Sequence, residues 1–141
     1  MKKDLLCMIT GAAGGIVTKI LGGWDSATIT LLVFMGIDYI SGLAVAGIFK
    51  TSNKTANGAL QSTVGWKGLC KKGMTLLFVL IAHRLDLTLN TNYIRDAVVI
   101  AFTANELISI VENAGLMGIP IPKVITRAIE VLKTKTKKEE T

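Results

Sequence analysis

The stretch that decides the fold is ATITLLVFMGIDYISGLAVAGIF, residues 27–49. Asp38, near its middle, is the only charged residue in it. A helix needs about 20 predominantly apolar residues to cross the hydrocarbon core of a bilayer. The stretch therefore predicts a transmembrane helix, with one acidic side chain at mid-depth.

The composition of the whole chain agrees with a membrane protein. The 141 residues are 50% hydrophobic and 18% charged, with a mean hydropathy of +0.52. Soluble domains carry about 25% charged residues. The net charge of +6 comes from lysines and arginines that flank apolar segments, where they meet anionic lipid headgroups. We therefore expect a lipid bilayer with anionic headgroups as partner, and no nucleic acid.

Three further apolar segments lie at about residues 5–21, 73–89 and 94–117. The first is short and contains Lys19, so it either spans the membrane, lies at its surface or, less in keeping with its length, belongs to a signal peptide. The fold class we expect is all-α, a polytopic integral membrane protein with three to four transmembrane helices plus a C-terminal amphipathic helix. Residues 1–118 would form the transmembrane region, and residues 119–141 a cytoplasmic helix and charged tail.

Charge distribution predicts the orientation. The middle connection and the C-terminal region are rich in lysine and arginine, while the first and third connections are nearly neutral. Short loops rich in lysine and arginine stay in the cytoplasm. Four spans then place both termini of a multi-pass membrane protein in the cytoplasm. The cations that decide this are Lys2, Lys3, Lys50, Lys54, Lys67, Lys71, Lys72, Lys123, Arg127, Lys133, Lys135, Lys137 and Lys138.

Polar side chains inside the apolar segments are the candidate functional residues. In antiparallel neighbouring helices, those near the middle of their segments would lie at about the same depth. Intramembrane ionisable groups usually face a water-filled path or another helix. The alternative is that Asp38 and Glu106 are hydrogen-bonded structural groups, and that Arg84 and Asp86 lie near the outer headgroups. The candidates near the segment centres are Asp38, His83, Arg84, Asp86 and Glu106.

Two helical patterns add candidates. In the fourth segment the polar residues fall on one arc at the 3.6-residue period, which predicts a wet or partnered face. In the first and second segments small residues recur at four-residue spacing, which allows close helix packing. The polar arc comprises Asn105, Glu106, Ser109, Glu112 and Asn113, and the helix-packing candidates are Gly11, Gly15, Gly42 and Ala46.

The C-terminal region begins after the sequence GIPIP, residues 118–122, which ends the fourth segment. Pro122 suits the first turn of a new helix. Val124, Ile125, Ala128 and Leu132 would form the apolar face of this helix. We expect the charged tail, residues 133–141, to be disordered.

No pattern indicates chemistry. Cys7 and Cys70 stand alone, without the paired ligand spacings of a zinc site. The glycines near residue 11 lack the GK[ST] of a phosphate-binding loop, and no catalytic motif is present. We expect no enzyme activity, no metal and no cofactor.

Four stretches resemble one family. IDYISGL (37–43), VGWKGLCKKG (64–73), AHRLD (82–86) and ANELISIVENAGLMGIPIPK (104–123) occur in the order found in phage holins of the toxin-secretion and phage-lysis group. The resemblance covers roughly residues 30–133. It implies a homo-oligomer that opens the inner membrane and lets a cytoplasmic endolysin, or a large toxin, leave the cell.

Two alternatives stay open beside the holin interpretation. One is a small membrane channel or transporter subunit, although no inverted repeat is visible. The other is an antiholin-type regulatory protein, or a membrane partner that docks another protein. Met8 could also be a second translation start that omits Lys2 and Lys3, or an ordinary methionine of an apolar span.

Overall fold

The computed structural model describes residues 1–139, which are 80% helical and contain no strand. The predicted all-helical class is confirmed. A π-helical stretch, Val45–Phe49, continues the second helix directly. The five α-helices are α1 (Lys2–Leu21), α2 (Ser26–Ala44), α3 (Ser62–Leu89), α4 (Ile94–Leu116) and α5 (Lys123–Glu139).

The centre of the molecule is the packing of α2 against α4, with α3 alongside both. Asp25 starts α2, because its side chain accepts a hydrogen bond of 2.9 Å from the Thr28 backbone N–H. Four large apolar side chains from α2, α3 and α4 are buried together. They are Leu31, Met35, Val79 and Val99.

Helix α3 is longer than the sequence predicted. It begins at Ser62, whereas the apolar segment was expected from residue 73. Lys67, Lys71 and Lys72 therefore lie on a helix and not in a connection. At about 1.5 Å per residue, the 28 residues of α3 extend about 42 Å, more than the hydrocarbon thickness.

Helix α1 makes few contacts with the rest of the molecule. Only Leu21, its last residue, is buried. A side-chain carbon added at Gly11 or Gly15 would meet nothing within 4 Å. By contrast, a side-chain carbon added at Gly42 would lie 3.8 Å from the Asn113 side chain, and Ala46 is buried. The small residues of α2 thus pack within the chain, and those of α1 do not.

Helix α5 packs along α4. Its inward positions are Ile125, Ile129, Leu132 and Thr136, at helical spacing, while Val124 is exposed. The predicted apolar face was therefore displaced by part of a turn. The expected disorder of the tail is wrong up to Glu139, where α5 ends. Residues 140 and 141 lie outside the described residues.

Two of the described helices are long and apolar enough to cross a membrane. They are α1 and the continuous helix Ser26–Phe49, with mean hydropathies of 1.5 and 1.9 over their most apolar windows. Many large apolar side chains on the outside of the bundle are exposed, among them Ile40 and Leu77. Such a surface suits lipid contact better than water.

Candidate functional site: an ion triad among three helices

An ion triad joins α2, α3 and α4. The Lys72 Nζ lies 2.7 Å from Oδ2 of Asp38 and 2.6 Å from Oε2 of Glu106. All three side chains are largely buried, with 14%, 9% and 13% exposure for Lys72, Asp38 and Glu106. One ammonium between two carboxylates leaves the triad one negative charge in excess. An arrangement of this kind links three helices only while the cation stays in place.

Asn113 extends the polar cluster along α4. Its Nδ2 donates to Oδ1 of Asp38 and to the Asp38 backbone carbonyl, both at 3.2 Å, and to Oγ of Ser41 at 2.9 Å. Gly42, one residue further along α2, lets the amide approach. Asp38 is therefore held from α3 by a charge and from α4 by an amide.

The predicted polar arc of α4 divides into two parts. Glu106, Ser109 and Asn113 face α2 and α3, because they contact Asp38 or line a cavity beside it. Asn105 and Glu112 are exposed, and Asn105 also lines that cavity. The inward part supplies partners within the chain, and the outward part is free to meet another surface.

The expected common depth of the polar residues is wrong for the third segment. Lys72, and not His83 or Arg84, lies level with Asp38 and Glu106. His83 is 11 residues further along α3, which is about 16 Å at the helical rise. There it adjoins the turn between α1 and α2, next to Gly22. Arg84 is exposed on the outside of the bundle.

Asp86 has a structural role at the turn between α3 and α4. Its carboxylate accepts hydrogen bonds from the backbone N–H groups of Ile94 and Arg95, at 3.0 and 2.9 Å, and from the Thr91 hydroxyl at 2.6 Å. These N–H groups belong to the first turn of α4, which has no helical acceptor for them. Asp86 therefore caps α4, a structural role that the sequence did not predict for it.

A second charged cluster, which we call the Arg95 clasp, holds the turn between α1 and α2. The buried Arg95 guanidinium donates to the backbone carbonyls of Leu21 and Gly23, at 2.6 and 3.1 Å. It also donates to Asp25 at 2.9 Å, and to the Thr28 hydroxyl. The clasp ties the start of α2 to the start of α4.

The Arg95 guanidinium lowers the pKa of Asp25 well below its usual range, and the hydrogen bonds from Thr28 act in the same direction. Asp25 therefore remains ionised far into the acidic range. The same carboxylate caps α2 and accepts from Arg95, so its charge supports both contacts.

Lys72 and Arg95 are the important residues that the sequence did not single out. Lys72 was counted among the cations of the middle connection, where a charge needs no partner, and Arg95 lies at the very start of the fourth apolar segment. The available signal for Lys72 was its position just before the apolar segment GMTLLFVLIA, which a helix could extend. For Arg95 it was the lack of a cation to match Asp25 in the first connection.

Comparison with known proteins identifies the family. The model of the bacteriophage holin family matches residues 15–134. A Listeria monocytogenes protein of uncharacterised function is 40% identical over 128 residues, covering 90% of this chain and 86% of its own. A 14.9 kDa protein of Clostridium perfringens is 36% identical over 124 residues, covering 86% and 88%.

One relative has a name that states a function. The "Probable holin" of Bacillus phage phi105 is 33% identical over 115 residues, covering 78% of this chain and 79% of its own. No solved structure matches the chain significantly. The family match covers most of the sequence, so the chain belongs to the bacteriophage holin family, which is a non-enzymatic family of pore-forming proteins of the inner membrane.

Proposed function

We propose that this holin oligomerises in the bacterial inner membrane and forms holes through which a cytoplasmic endolysin, or a large toxin, leaves the cell. The observation that carries the proposal is the buried ion triad of Asp38, Lys72 and Glu106. Charged side chains inside a membrane bundle are costly, and they usually belong to a polar path. Here they supply a polar surface that is hidden while the helices stay together.

The size of the cargo requires an assembly. A folded enzyme of about 200 residues has a radius of gyration of roughly 16 Å, and hence a diameter of about 40 Å. A wall of helices, each about 10 Å wide, then needs on the order of a dozen of them around the hole. One chain with four spans cannot enclose it, so many copies must contribute.

The membrane arrangement we propose has spans at about residues 5–21, 27–49 and 94–117, with both termini in the cytoplasm. The third span lies within α3 and begins before Lys72, because Lys72 is level with Asp38 and Glu106. Helix α5 then lies on the cytoplasmic headgroups and leaves its packed position on α4. The reason is that its six cations would otherwise face acyl chains, whereas anionic headgroups attract them. These are Lys123, Arg127, Lys133, Lys135, Lys137 and Lys138.

In the closed state, the triad satisfies its charges between helices of one chain. When copies assemble, α2 and α4 turn or separate, and Asp38, Glu106 and Ser109 meet water. Asn105 is exposed beside the cavity next to the triad and would contact neighbouring copies. The exposed glycine face of α1, with Gly11 and Gly15, is a further candidate for contact between copies.

The experiment compares lysis timing in cells that express the chain together with an endolysin lacking a signal peptide. Asp38→Leu and Glu106→Leu remove the charges that would line water, so we expect each to change the time of lysis or abolish it. Glu112→Leu is the matched control for the triad, since Glu112 is an exposed glutamate on the same helix. Unchanged lysis in both triad variants would refute the role of the triad.

A further inference from the structure

A cavity of about 220 Å³ lies next to the triad, between α2, the first half of α3 and the connection of residues 50–61. We propose that this cavity binds the phosphate group of an anionic phospholipid. The inference uses the membrane location of the family and does not depend on hole formation.

Charge is the first argument. Three lysines line the cavity, Lys54, Lys71 and Lys72, against the two carboxylates of the triad. Lys72 is engaged by both carboxylates. Lys54 and Lys71 form no ion pair within 4.0 Å among the described residues. The cavity therefore has one positive charge in excess, which an anion would neutralise.

Unused hydrogen-bond donors are the second argument. The Thr55 hydroxyl, which lines the cavity, is buried and has no hydrogen-bond partner within the described residues. Buried hydroxyls nearly always have one. Gln61, the residue before α3, makes no side-chain cap, so the first backbone N–H groups of α3 also lack that acceptor. An anion at a helix N-terminus accepts from such groups.

The wall that holds Lys54 and Thr55 is preformed. The Thr51 N–H donates to the Val45 carbonyl, and the Ser52 N–H to the Gly58 carbonyl, both at 3.1 Å. A side-chain carbon at Gly58 would lie 2.3 Å from the Lys50 carbonyl oxygen. The connection is therefore folded tightly over the cavity, and binding needs little ordering of the chain.

The apolar part of the lining favours a lipid over free phosphate. Leu43, Leu60 and Val64 line the cavity beside the lysines, and they suit the glycerol and first methylene groups. The cavity also adjoins the end of the membrane-length helix Ser26–Phe49. Basic pockets at the end of membrane helices bind anionic headgroups in this way.

The test uses the full chain purified in a neutral detergent, with native mass spectrometry of bound lipid. We expect phosphatidylglycerol to bind more tightly than phosphatidylcholine. The double variant Lys54→Gln/Lys71→Gln should weaken phosphatidylglycerol binding by about 10–30-fold, since each lysine contributes to headgroup attraction. Thr55→Val, which keeps the charge, should weaken it by a few fold.

Lys67→Gln is the matched control. Lys67 lies on the same helix as Lys71, and its variant loses one of the two charges that the double variant loses. Because Lys67 does not line the cavity, we expect less than a twofold change. Equal binding of the two lipids, or an equal loss in the Lys67 variant, would overturn the proposal. Displacement of the lipid by inorganic phosphate at similar concentration would assign the site to free phosphate and overturn the lipid assignment. Lysis timing is measured separately, so failure here leaves the holin proposal intact.

Discussion

Replacing Lys72 with Met leaves Asp38 and Glu106 facing each other without the ammonium that lies 2.7 and 2.6 Å from them. All three side chains are at most 14% exposed, so water can compensate only in part. Removing one partner of a buried ion pair costs about 3–5 kcal/mol. We expect Lys72→Met to lose free energy of unfolding in this range.

The loss can be expressed as a melting temperature. The unfolding entropy of about 2.1 cal/mol/K per residue gives roughly 0.3 kcal/mol/K for a chain of 141 residues. Lys72→Met should therefore melt about 10–17 °C below the unchanged protein, as followed by helical circular dichroism in detergent. Lys67→Met is the control, because Lys67 is exposed on the same helix, and it should melt within about 2 °C of the unchanged protein.

A compensating variant sharpens the test. The triple variant Asp38→Asn/Lys72→Met/Glu106→Gln removes all three charges, and neutral replacement of a buried ion cluster is often tolerated. We expect it to regain most of the lost stability. The reasoning is refuted if Lys72→Met has the same melting temperature as the Lys67→Met control, or if the triple variant melts at no higher temperature than Lys72→Met.

Three further predictions concern the turns. Arg95→Met should lower the free energy of unfolding by about 2–4 kcal/mol, because it leaves the Leu21 and Gly23 carbonyls, between α1 and α2, without these donors. A melting temperature equal to that of the unchanged protein would contradict the clasp. The contribution of Asp25, whose folded pKa is lowered, is present above its unfolded pKa of about 4 and is lost as pH falls below that value toward the folded pKa. The melting temperature of the unchanged protein should thus fall between about pH 5 and pH 2, and that of Asp25→Asn should fall less steeply. Equal pH dependence in the two proteins would contradict this role of Asp25. Gly58→Ala should destabilise the protein more than Gly118→Ala, since both glycines have positive φ but only a side chain at Gly58 would collide with the Lys50 carbonyl. An equal drop in melting temperature in the two variants would contradict this prediction.

The helices with a uniform apolar pattern could be predicted from the sequence. The segment 27–49 matches Ser26–Phe49, and 94–117 matches α4, Ile94–Leu116, to within one residue. The start of α3 could not be predicted, because lysines and glycines in residues 62–72 resemble a connection. In the structure these residues are helical, and Tyr39 packs against Gly65 and Gly68, at 3.5 and 3.8 Å from the positions of added side-chain carbons.

The error in α3 explains what was missed in the site. Asp38 and Glu106 were identified, since a charge within an apolar segment can be recognised from the sequence alone. Their partner Lys72 depends on the register of α3 against two other helices, which no local pattern contains. Arg95 is similar, because its acceptors in the clasp lie 67 to 74 residues away in the chain. Pairing across such distances requires the packed structure.

The measurement that tests the central claim most directly is expression of the unchanged chain with a cytoplasmic endolysin that lacks a signal peptide. Membrane potential and optical density are followed together after induction. The holin proposal predicts that both collapse abruptly after a reproducible delay. Loss of potential without lysis would contradict it and indicate the small pores of an ordinary channel, and no change in either would indicate a docking or inhibitory protein.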